Sequence, residues 1–152
     1  MPARTSCVLL VEDQDMVRAL CARAIRGAGF AVLETPTAGG ALALLRTPGV
    51  VDLVVIDSFL PGTGTQPFVE ELARDQPHVR VLEIGGDPWT LAAATAAGRA
   101  VLAKPFYPDT LAAMVRGILG SGPGLLPASS VRRGLTAHRA RSRHDPERAS
   151  NR

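Results

Sequence analysis

Cysteine, lysine and aromatic residues are all scarce in this 152-residue chain, and each scarcity removes a class of explanation. The two cysteines, Cys7 and Cys21, match no zinc-ligand spacing and are too few for a disulfide framework. Reduced, buried thiols in a reducing compartment are the expectation. Aromatics make up 4% of the chain, so a core has to be built from Val, Leu, Ile and Ala; at 46% hydrophobic residues there is enough for one domain. No apolar run approaches the length of a membrane span. The short run Cys7–Val11 is followed by Glu12 and Asp13, not by the small residues of a cleavage site. The expectation is a cytoplasmic protein with no membrane contact. Neither Gly62-Thr63-Gly64 nor the glycines of 117–124 form a dinucleotide fingerprint, and no GK[ST] phosphate loop occurs. His78, His138 and His144 are scattered, which argues against a metal or phosphorelay histidine.

Charge is present but unevenly spread. Residues 1–120 hold ten basic and twelve acidic residues, a net of −2, whereas 121–152 hold seven arginines and two acids, a net of +5. The composition changes at Gly120–Pro127, and 121–152 has few large apolar residues. Such a segment buries too little surface to offset its ordering entropy, so a disordered basic tail is expected after a domain spanning 1–120. The tail could meet nucleic acid by charge alone, but it lacks interleaved aromatics and a clear recognition helix. Nucleic-acid binding is therefore disfavoured.

The stretch around which the chain is organised is Val51–Pro61, VDLVVIDSFLP. Its β-branched run reads as a strand buried on both faces, as in a parallel sheet covered by helices. Asp57 is expected where that strand emerges, because an unpaired charge does not belong inside it. An isolated loop aspartate can equally start a turn or cap a helix. Other apolar runs are Cys7–Val11, Ala31–Glu34, Val79–Ile84 and Ala100–Ala103. Helical spacing runs from Asp15, read as a cap, to Gly27, and covers Ala38–Leu45, the segment around Pro67, Trp89–Ala97 and Pro108–Leu119. Five strand–helix alternations with short connections predict a parallel sheet sandwiched by right-handed crossovers.

Glu12 and Asp13 end the first strand and Asp57 the third. If those strands are neighbours, three carboxylates crowd one edge and need a cation. A hard, oxygen-liganded ion such as Mg²⁺ fits, with a place left for a phosphate oxygen. Lys104 ends the fifth strand and is the only lysine against sixteen arginines. A compact ammonium suits contact with a phosphoryl group; alone, it would be an ordinary strand-end lysine. A haloacid-dehalogenase-like phosphatase would want an acid two residues beyond Asp57, where Phe59 stands.

LLVEDQD, VVIDSFLPG and KPF, in this order at these strand ends, resemble the receiver domain of two-component response regulators across roughly 5–119. The resemblance implies a flavodoxin-like (βα)5 fold of strand order 2-1-3-4-5. It implies that Asp57 accepts a phosphoryl group from a histidine kinase or histidine phosphotransfer protein. Asp13, Asp57 and the backbone carbonyl of Phe59 would ligate Mg²⁺, with Glu12 acting through water. Lys104 would contact the phosphoryl oxygens, and a cis peptide would precede Pro105. Residues 59 and 87 occupy places that tune dephosphorylation in the family, and the face of the fourth helix, fifth strand and fifth helix is the usual partner surface.

Two positions depart from the pattern. Gly85 stands where a Ser or Thr hydroxyl is usual, and Val101 where an aromatic is usual. The expected function is a stand-alone receiver acting by protein contact or as a phosphoryl shuttle. The alternatives are a phosphorylation-independent interaction module and a nucleic-acid-associated regulator working through the tail.

Overall fold

A computed structural model describes residues 3–62 and 64–120. The expected tail, 121–152, lies outside them. Strands β1 (Cys7–Val11), β2 (Ala31–Thr35), β3 (Leu53–Asp57), β4 (Arg80–Gly85) and β5 (Ala100–Ala103) alternate with five helices. These are α1 (Asp15–Gly27), α2 (Ala38–Leu45), α3 (Thr65–Asp75), α4 (Pro88–Ala96) and α5 (Pro108–Gly120). The strands form one parallel sheet in the order β2-β1-β3-β4-β5, the flavodoxin-like arrangement expected.

The apolar runs take the central places for a physical reason. Every residue of β1 and β3 is buried, whereas the edge strands β2 and β5 are largely half-buried or exposed. Side chains alternate between faces. Val8, Leu10, Leu53 and Val55 pack with α1 and α5, while Leu9, Val11, Val54 and Ile56 pack with α2 and α3. Both faces are thus covered, as a parallel sheet requires. Cys7 and Cys21 are buried and unbridged, as the cysteine count implied; burial is the main cause that pushes the Cys21 thiol up to about 11. Among the described residues no helix is long and apolar enough to cross a membrane.

The departures from the sequence reading are local. Asp15 is not a cap: Gln14 holds that place without a side-chain bond, and Asp15 pairs with Arg18 at 2.7 Å in the first turn. The amide of Gln14 donates instead to the buried Glu12 carboxylate at 3.1 Å, so the turn is tied to the site. β4 runs one residue later at each end than expected, and α4 begins at Pro88, with Asp87 accepting from the Thr90 amide at 2.8 Å. Pro67 falls in the first turn of α3, where its missing amide removes no helical bond. α4 lies over β4 and β5, with Ala94 its one buried residue.

Phe68 is 2% exposed at the centre of the α2–α3 face, while Trp89 on α4 is 85% exposed. Phe68→Ala is expected to lower unfolding free energy by about 3–5 kcal/mol. Trp89→Ala should change it by no more than about 0.5 kcal/mol. Denaturant titration of both variants checks this.

Candidate functional site

The register of β1 against β3 pairs Val11 with Ile56, so the residues that follow, Glu12, Asp13 and Asp57, reach the same carboxyl edge. β3 pairs with β4, and β4 with β5 through Gly85 and Ala103, which brings Lys104 alongside. Its backbone amide donates to the Gly85 carbonyl at 2.8 Å, and the Lys104–Pro105 peptide is cis, as expected. Glu12 is 4% and Asp57 7% exposed, so these carboxylates are held largely out of water. Asp13 is exposed.

Both Asp57 oxygens are engaged. The Phe59 amide donates to Oδ1 at 2.9 Å and Lys104 Nζ donates to Oδ2 at 2.9 Å. The ammonium also stands 3.7 Å from a Glu12 oxygen. One cation therefore faces two buried acids. Burial opposes charge on Lys104, but the hydrogen bond and charge of Asp57, with Glu12 behind them, outweigh it and raise its pKa. Glu12 is pushed up to about 7, first by burial and then by Asp57, against the Gln14 amide and Lys104. The pocket is short of positive charge.

Carboxylate oxygens of Glu12, Asp13 and Asp57 lie within 4.8 Å of one another. An all-oxygen donor set of this kind fits Mg²⁺, which takes few protein carboxylates and keeps water in its remaining positions. The structure thus brings Glu12, Asp13, Asp57 and Lys104 together. Phe59 contributes its amide, while the residue itself is 87% exposed. Gly85 lies at the same edge. Val101 is half-buried on β5 opposite Glu83, whose buried carboxylate meets Arg99 at 3.1 Å. The Asp87 carboxylate serves α4, and its bonds from Thr90 lower its pKa.

Two participants had no local sequence signal. Thr65, the first residue of α3, donates its hydroxyl to the Asp57 backbone carbonyl at 2.5 Å, across eight residues. Ser58 is fixed by its amide to the Ile84 carbonyl at 2.7 Å, and its side-chain oxygen is buried without a hydrogen-bond partner.

A parallel sheet of this order, with acids after the first strand and at the end of the third and a lysine after the fifth, makes this a flavodoxin-like domain with an acidic pocket at the carboxyl edge of its sheet. Residues 8–116 match the family model described as the response regulator receiver domain, and the chain belongs to that family. It is 31% identical over 119 residues to the sensor kinase CckA of Brucella abortus, covering 76% of this chain and 13% of that protein. It is 29% identical over 137 residues to the phosphate regulon transcriptional regulatory protein PhoB of Pseudomonas aeruginosa, covering 77% of this chain and 53% of that one. The chain thus spans about half or less of these curated relatives. A putative response regulator from Chloroflexus aurantiacus superimposes with a TM-score of 0.70 at 27% identity, over 78% of this chain and all of that one.

Because the folded state holds Glu12 at about 7 against 4.5 in its absence, protonated Glu12 favours the fold. Its contribution is complete below pH 4.5 and is lost as pH rises through about 7. In metal-free buffer, the stability of wild type relative to Glu12→Gln should fall between those pH values and then level. Thermal melts of the pair across pH 4–8 check the slope.

Proposed function

We propose that this chain receives a phosphoryl group on Asp57 in a Mg²⁺-dependent reaction and passes the signal on by contact with another protein. The observation that carries the proposal is the setting of Asp57: a buried carboxylate at a strand end, gripped by Lys104 at 2.9 Å and flanked by Glu12 and Asp13. Receiver domains bind Mg²⁺ in such an acidic pocket and are phosphorylated by histidine kinases or phosphotransfer proteins.

An Asp57 oxygen attacks phosphorus and forms a mixed anhydride, while the bond from phosphorus to the donor imidazole nitrogen breaks and its electron pair stays on that nitrogen. Asp13, Asp57 and the Phe59 carbonyl would hold Mg²⁺, with Glu12 acting through water, and the bound ion would supply charge neutralisation to the transferring group. Lys104 exchanges its carboxylate partner for a phosphoryl oxygen. The Phe59 amide orients the attacking carboxylate beforehand, which is the positioning this chemistry demands.

The rim suits a protein donor. Met16, Phe59, Trp89 and Tyr107, the four most exposed large hydrophobic residues described, are 87, 87, 85 and 81% exposed. Phe59 and Tyr107 stand on the connections after β3 and β5, and Met16 and Trp89 in the first turns of α1 and α4, the helices that follow β1 and β4. Each follows a strand that ends at the Asp57 edge, where a docking protein would meet it. Gly85 and Val101 favour a second reading, in which the acids persist in a phosphorylation-independent interaction module. The reading through the tail falls outside the described residues.

Intact-mass analysis after incubation with acetyl phosphate separates the first two readings. The proposal expects one phosphoryl adduct that requires Mg²⁺ and is missing in Asp57→Asn. Absence of the adduct, also with a histidine phosphotransfer donor, would favour the interaction module.

A further inference from the structure

Ser58 follows the site aspartate, and its hydroxyl is the one buried side-chain polar atom among the described residues that makes no hydrogen bond. A buried donor without a partner is costly and calls for an explanation, and a group that arrives at the site is one. Its surroundings say where that partner would stand. The Ser58 amide is pinned to the Ile84 carbonyl, and the next residue, Gly85, is pinned to Lys104. The hydroxyl lies against Gly85 at the end of β4, one residue along the chain from Asp57, and Gly85 in turn carries the carbonyl that holds the Lys104 amide.

Gly85 is the complement of Ser58. A Cβ placed on Gly85 would run into the Ser58 oxygen and stand 2.7 Å from the Ser58 Cβ, closer than side chains approach. The two positions share one volume, and here residue 58 fills it. With no side chain at 85, Ser58 can turn about its single χ1 torsion among staggered positions. Its acceptor-only neighbour, a phosphorylated Asp57, would bring new anionic oxygens into reach of an O–H donor.

We propose that Ser58 binds the phosphoryl group on Asp57, supplying through its hydroxyl the hydrogen bond that Gly85 cannot make. The inference rests on the phosphorylation of Asp57 proposed above. Ser58 donates its proton to a phosphoryl oxygen as the anhydride forms, and no covalent bond to Ser58 is made.

The test follows adduct formation by intact mass, in the full chain with acetyl phosphate and Mg²⁺. Ser58→Ala should accumulate the adduct about tenfold more slowly than wild type, the effect of one charge-assisted hydrogen bond. Its melting temperature should stay equal or rise, because the unphosphorylated protein loses only an unpartnered hydroxyl. Gly85→Ser alone should clash with Ser58 and melt lower. Combined with Ser58→Gly, it moves the hydroxyl across the shared volume and should recover most of the rate that Ser58→Gly loses. Equal rates for Ser58→Ala and wild type overturn the role of Ser58 alone. So does a double variant no faster than Ser58→Gly, or a Ser58→Ala protein that melts lower. A wild-type chain that takes up no phosphoryl group overturns this inference together with the phosphorylation reading.

Discussion

Two buried carboxylates, Glu12 and Asp57, share one ammonium, and the architecture of the domain serves to hold them there. Burial removes the water that would screen Glu12, and the Asp57 charge beside it adds to the cost of ionising it. The fold accepts that cost because β1 and β3 lie side by side at the centre of the sheet, each wholly buried along its length. β4 and β5 then place Lys104 where it can face both acids. The pKa of about 7 for Glu12 comes first from burial and then from Asp57, and a divalent cation in the pocket would favour its charged form.

The strands and their order were legible because a doubly covered parallel sheet writes its central strands as unbroken apolar runs, and VLLV and LVVI do so without polar interruption. The acids and the lysine were legible because each directly ends such a run. What could not be read are contacts between positions remote in sequence. Thr65 reaches back to the Asp57 carbonyl, Arg99 neutralises Glu83 within the sheet, and Gly85 matters through the space it leaves for Ser58. The Asp15 cap failed for a related reason. Spacing correctly marked the start of α1, but the turn is organised by a buried carboxylate three residues earlier.

The two departures from the family pattern acquire physical content in the structure. At Gly85 the lost side chain does not leave an empty place, since Ser58 stands in it. At Val101 the neighbouring β4 residue on the same register is Glu83, already committed to Arg99. α4, which covers this region, buries only Ala94 and is anchored by the Asp87 cap at its start. Changes at the Asp57 edge thus have α4 beside them, and a partner reading that helix would meet the exposed Trp89 at its first turn.

If the strand-end acids form a cation site beside Asp57, a Mg²⁺ titration followed by backbone amide NMR shifts detects it most directly. The account predicts one saturable binding event, with the largest shifts at residues 12–14, 57–59, 85 and 104, and its loss in Asp57→Asn. Shifts that do not saturate, or that scatter over the surface acids and persist in Asp57→Asn, would contradict it.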